Sequence, residues 1–144
     1  MLKIGKNILS FSAYSCQPKT KNELRSIIKS RIDKDGYECD LNDIDVSLIT
    51  CMSSLFAYSS FNGDISNWNV SNVRIMTGMF FGSSFNNDIS EWNISNVENT
   101  SYMFFNSKFD QDISNWEISE DCETYNMFLN CEIRQEFKPK SLQR

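Results

Sequence analysis

Side chains that could carry chemistry are few in this 144-residue chain. It has no histidine, so neither a Ser-His nor a Cys-His nucleophile pair can be assembled. Five cysteines, Cys16, Cys39, Cys51, Cys122 and Cys131, include no C-x-x-C pair, which argues against a zinc site. Their odd number argues against a closed disulfide framework and fits free thiols in a reducing compartment. None of the five glycines belongs to a phosphate-cradling loop. The expectation is a protein that is not an enzyme, with no cofactor and no metal. One set of carboxylates is regularly placed, at Asp40, Asp64, Asp88 and Asp112. Single acids at a regular step read as turn chemistry, each carboxylate accepting nearby backbone N–H groups. A ladder of calcium sites would need more than one oxygen ligand per step.

That step is 24 residues, and the whole chain between 37 and 132 obeys it. "FNGDISNWNVSNVRIMTGMFFGSS" is followed by "FNNDISEWNISNVENTSYMFFNSK" and "FDQDISNWEISEDCETYNMFLNCE", and a worn first copy, "YECDLNDIDVSLITCMSSLFAYSS", precedes them. Phe61, Phe85 and Phe109 share a column, as do Trp68, Trp92 and Trp116, Ser71, Ser95 and Ser119, and Phe80, Phe104 and Phe128. Self-similarity at such a period marks units that bury an apolar face only against a neighbour. Ile65, Trp68, Val70 and Val73 follow the L-x-x-L-x-L-x-x spacing of a leucine-rich repeat and predict a short strand over 67–71. Val73, Met76, Met79 and Phe80 step by three, three and one, which predicts a short helix. The expected fold is therefore an α/β solenoid, leucine-rich-repeat-like, of four strand-plus-helix repeats. The Trp, Met and Phe columns are expected in its core, each indole N–H bonded to a buried acceptor.

Three segments follow: residues 1–36 as an N-terminal cap, 37–132 as the repeats, and 133–144 as a basic tail or cap. Thr20 with Glu23 forms a capping box, Leu24, Ile27, Ile28 and Ile32 share one helical face, and Gly36 is a stop, so a helix is predicted over 20–34. Residues 7–15 are β-compatible and read as a strand of the same cap. Charge follows this division. Residues 1–36 hold eight Lys or Arg against three acids, the repeats hold Arg74 and Lys108 against fifteen acids, and residues 133–144 hold four against one. An acidic middle sits between basic ends.

With strands in the leucine-rich-repeat geometry, the side chains between buried strand residues would line a concave face. These are Asp43, Asn67, Glu91 and Asn115 in one column and Asp45, Asn69, Asn93 and Glu117 in the next. A face of acids and amides repels nucleic acid and attracts a basic protein. The alternative contact is basic and lies at the ends: Lys19, Lys21, Arg25, Lys29 and Arg31, with Arg134, Lys138 and Lys140.

The motif D-I-S-x-W-[NDE]-[VI]-S-x-V followed by M-F, carried by "DISNWNVSNV" and "DISEWNISNV", resembles the BspA-like bacterial surface-repeat family. The resemblance covers residues 37–132. It implies a right-handed solenoid that binds proteins and has no shared catalytic site, and it names no ligand.

The expected function is non-enzymatic protein binding. The first form is an acidic inhibitor from a phage or mobile element that covers the basic surface of a nucleic-acid-handling enzyme, such as a CRISPR effector nuclease. Its alternative is a bacterial surface or adhesion repeat protein, and a second alternative is RNA binding through the basic ends. No stretch is long enough to span a membrane. "MLKIGKNILSFSAYSC" has the layout of a lipoprotein signal but a short apolar run broken by serines, so a cytoplasmic location is expected, with lipoprotein export as the alternative.

Overall fold

A computed structural model describes residues 14–143. Its one α-helix among these residues, α1, spans Lys21–Asp35. The Thr20 hydroxyl accepts the Glu23 N–H at 3.1 Å, and the Glu23 carboxylate accepts the Lys19 N–H at 2.8 Å. At the other end Gly36 takes φ 90° and donates its N–H to the Ile32 carbonyl at 2.8 Å, a conformation that favours glycine. Leu24 and Ile28 are buried against the first repeat, to which Lys21 and Arg31 also bond. The strand expected over 7–15 lies almost wholly outside the described residues.

The repeats themselves correct the expected fold. Among the described residues they contain no strand and no helix, so the α/β solenoid of leucine-rich-repeat-like, strand-plus-helix units is not what this chain forms. Each repeat is a succession of tight turns. In the second one, the N–H groups of Trp68, Val73, Met79, Phe81 and Ser83 each donate to the carbonyl three residues back, at 2.9–3.2 Å. The other repeats reproduce this set closely, for example through Trp92 to Ile89 and Met103 to Thr100.

The expected strand fails because its backbone is already committed locally. Asp64 accepts the Ser66 N–H at 2.9 Å and Asn69 accepts the Ser71 N–H at 3.1 Å, so side chains fold the chain back at both ends of 67–71. Between them Trp68 turns onto Ile65. What remains of sheet pairing is a set of isolated parallel bridges, such as Cys51 to Ile75, Ile75 to Asn99 and Asn99 to Glu123.

The expected helix fails for a different reason. Two columns adopt left-handed backbone: Ser54, Gly78, Tyr102 and Asn126 at φ 49–60°, and Tyr58, Gly82, Asn106 and Asn130 at φ 57–64°. A left-handed residue every fourth position cannot belong to a right-handed helix. Gly and Asn, the residues that tolerate this region best, fill five of the eight places. The helix-like three-three-one spacing is produced by consecutive turns that bring Met76, Met79 and Phe80 to the same side.

Alternate N–H groups of these turns leave the repeat. Met76, Gly78, Phe80 and Gly82 donate to the carbonyls of Asn99, Ser101, Met103 and Phe105 in the next repeat at 2.8–2.9 Å. The same four places in the first and third repeats do likewise, at 2.7–3.0 Å. In the first three repeats these amides thus alternate between an acceptor in their own turn and one in the neighbouring repeat, and a lone repeat could not supply the second kind.

Side chains stack in step. Trp68, Trp92 and Trp116 lie parallel at 6.4 Å intervals, and their indole N–H groups donate to the carbonyls of Leu41, Ile65 and Ile89 at 2.9–3.1 Å. Phe56, Phe80, Phe104 and Phe128 form a second pile at 5.5–5.6 Å, and Phe61, Phe85 and Phe109 a third at 6.2 Å. The indoles expected in the core are there, with the acceptors they require. At the far end Ile133 and Phe137 begin a fifth unit in the Phe and Ile columns. It gives way to two single 3-10 turns, Gln135–Phe137 and Lys140–Leu142.

Candidate functional site

The Asp column does turn chemistry: Asp40, Asp64, Asp88 and Asp112 each accept the N–H two residues on, at 2.8–2.9 Å. Among the described residues no group of potential ligands converges to hold a metal ion. The five cysteines are unpaired. Burial pushes the Cys39, Cys122 and Cys131 thiols up, whereas hydrogen bonds from Ser53 outweigh burial at Cys51 and leave its thiol below the ordinary value.

The two acidic and amide columns are placed unequally. Asp43 is half-buried and held by the cap, accepting the Ser15 hydroxyl at 2.6 Å and the Arg31 guanidinium at 2.9 Å on both oxygens. Burial raises its carboxyl, but these bonds and the adjacent positive charge outweigh it and leave the group below the usual carboxylate range. Asp45 accepts from Gln17 and Ser47, and Asn69 and Asn93 each accept from the serine two residues on. The Asn67 N–H donates to Asn42. Asn69, Glu91, Asn93, Asn115 and Glu117 stand exposed, so the open part of this surface runs over the second, third and fourth repeats.

The basic residues do not form one patch. Lys19, Lys21, Arg25, Lys29 and Arg31 belong to the cap on the first repeat. There Lys21 bonds Ser53, Lys29 pairs with Asp33, and Arg31 pairs with Asp43. Arg134, Lys138 and Lys140 lie at the opposite end: Arg134 pairs with Asp110, Lys138 rests 5.4 Å above the Phe128 ring, and Lys140 is exposed. The four repeats separate the groups, so RNA contacting both would have to run the length of the stack.

Sequence reasoning missed a ribbon of outward-facing rings. Tyr58 packs on Phe81 at 5.4 Å, Phe81 on Phe105 at 4.7 Å, Phe105 on Tyr102 at 5.7 Å, and Tyr102 on Tyr125 at 5.6 Å. It spans all four repeats. Tyr58 is 76% exposed and Tyr125 66%, and Leu129 continues the apolar line. Gly82 is needed beneath it, since a Cβ there would meet the Tyr58 ring at 2.8 Å.

A family described as "Mycoplasma protein of unknown function, DUF285" matches residues 25–140, from the middle of α1 through all four repeats. The chain belongs to the DUF285 family. Membership is consistent with the BspA-like resemblance of the motif. No curated protein and no solved structure matches the chain. For a DUF285 chain the phage-inhibitor reading loses its support: the match points to a surface-repeat family, and nothing ties the acidic repeats to a CRISPR effector or another nuclease. Among the described residues no helix is long and apolar enough to cross a membrane.

Proposed function

We propose that this DUF285 chain is a non-enzymatic recognition module of the bacterial surface-repeat kind, which holds another protein through side chains carried on the outside of its turns. The family match supports the surface-repeat part. The aromatic ribbon carries the binding part. Its exposed ends at Tyr58 and at Tyr125 with Leu129 are joined by the half-buried Phe81, Tyr102 and Phe105; exposed apolar surface marks interaction sites, and Tyr and Phe supply rigid, large contact area at small cost in side-chain entropy. The buried columns repeat while the ribbon varies, since Ala57, Phe81, Phe105 and Leu129 share one column and Ser54, Gly78, Tyr102 and Asn126 another. A constant core thus carries a surface free to differ from repeat to repeat. The strongly acidic repeats favour a partner with a basic surface over nucleic acid. The surface-repeat reading implies a position outside the cell, the alternative to the cytoplasmic location expected from the sequence.

A variant carrying Tyr58→Ser, Tyr102→Ser and Tyr125→Ser tests the reading. It should melt within a few degrees of the parent and lose the proteins that the parent retains from a cell-surface extract. Protease treatment of intact cells should cleave the chain without lysis. Undiminished capture by the triple variant refutes the ribbon as the contact, and complete protection in intact cells refutes the surface position.

A further inference from the structure

The hydrogen-bond ladder between repeats has a direction, and its last rung finds no acceptor among the described residues. Four N–H groups in each of the first three repeats donate to carbonyls of the following one. In the fourth repeat the corresponding amides belong to Thr124, Asn126, Phe128 and Asn130, and none has an acceptor among the described residues. The C-terminal segment covers only the other half of this end: Phe137 receives the Ile113 N–H at 2.9 Å, and Arg134 donates to Asp110. The uncovered half is a shallow cleft bounded by these residues with Lys138 and Leu142. At its centre Phe128 stacks on Phe104 at 5.6 Å with one face. Its other face, which a following Phe covers in the two preceding repeats, has the Lys138 ammonium 5.4 Å from the ring centre and looks into the cleft that Leu142 also lines.

We propose that this edge binds an extended segment of a partner protein, which adds its backbone carbonyls to the four amides and seats an aromatic side chain on Phe128. The arrangement is strand addition to an open edge, specified by a donor-only row. The geometry selects against a second copy of this chain. Two such ends face to face would oppose donor with donor. Head-to-tail stacking would need the matching carbonyl edge of the first repeat, which lies beneath α1, where Lys21 bonds Ser53 and where Ile28 and Ile32 of the helix line one cleft with Leu55 and Phe56. The inference stands apart from the aromatic ribbon and does not depend on it.

The probe is a synthetic peptide of residues 98–107, ENTSYMFFNS, whose carbonyls serve the corresponding row of the second repeat, at its interface with the third. It is titrated into the isotope-labelled full chain and followed by amide NMR. In the free protein the amides of Thr124, Asn126, Phe128 and Asn130 should exchange with solvent faster than their counterparts at 100, 102, 104 and 106. Saturating peptide should shift those four signals and slow their exchange at least tenfold. Replacing Phe104 in the peptide by Ala, or Phe128→Ala in the protein, should weaken binding about tenfold. The unmodified pair decides the matter if the protein variant does not fold. No shift at the four amides overturns the proposal. So does a response confined to Tyr58 and Phe81, or protection of the four amides that rises with protein concentration alone, which would make the occupant a second copy.

Discussion

Replacing Trp92 by Ala removes the middle ring of the indole pile. Trp92 is 3% exposed, lies parallel to Trp68 and Trp116 at 6.4 Å on either side, and donates its N–H to the Ile65 carbonyl at 3.1 Å. Truncating a buried Trp to Ala costs about 3–5 kcal/mol. Each aromatic pair contributes about 0.5–1.5 kcal/mol beyond burial, and a carbonyl left dry and unpaired costs about 1–3 kcal/mol. These terms overlap, and the upper part of the first range, about 4–5 kcal/mol, is expected. For a chain of this size each kcal/mol lowers Tm by about 2–4 °C, so Tm should fall by about 8–20 °C. Trp92→Phe keeps an aromatic ring in the stack but loses the N–H bond and the volume of the second indole ring, so it should cost less than the Ala change, roughly 1–3 kcal/mol. Urea unfolding followed by far-ultraviolet circular dichroism measures both, with an unchanged slope showing that only stability moved. An Ala variant melting within a degree or two of the parent would refute the indole column as core.

Three further perturbations probe other parts of the structure. Gly63→Ala would place a Cβ on the Cys39 carbonyl oxygen and 2.7 Å from the Phe61 ring, so it should cost several times more than Gly78→Ala. At Gly78 the nearest atom would be 3.6 Å away and only the left-handed φ opposes the change, at about 1–2 kcal/mol, as thermal melts would show. The depressed Asp43 carboxyl stabilises the fold above the ordinary carboxylate value of about 4, and that contribution is lost as pH falls through its lower folded value. Asp43→Asn should therefore flatten the fall in Tm between neutral and strongly acidic pH, and a slope like the parent's would contradict the pairing with Arg31. Under native conditions Cys51 should be alkylated faster than Cys39, Cys122 or Cys131, with mass spectrometry reading the order.

The repeats, their buried columns, the Asp turns and the capped helix α1 were legible because each rests on residue types recurring at a fixed step or on a local capping pattern. The units' backbone was not. Apolar spacing reports which side chains face inward, and a run of tight turns can present Met76, Met79 and Phe80 to the core as well as a helix can. A discriminating signal was present in the Gly78 and Asn126 column and in the Gly82, Asn106 and Asn130 column, whose preference for left-handed backbone excludes a helix there. The ribbon was hidden because Phe81 and Phe105 follow directly on buried phenylalanines, while Tyr58, Tyr102 and Tyr125 occupy three different columns. The acidic face was read from a strand alternation that the chain does not adopt. The capture of Asp43 by Arg31, twelve residues away, has no periodic signature.

Scalar couplings across hydrogen bonds, recorded on the isotope-labelled protein, test most directly whether turns linked from repeat to repeat build this chain. They should connect the Phe80 amide nitrogen with the Met103 carbonyl carbon and the Phe104 nitrogen with the Met127 carbonyl, while Phe81 connects back to Gly78. Couplings from Phe80 to Met76 and from Phe81 to Thr77, the pattern of an α-helix, would contradict the account.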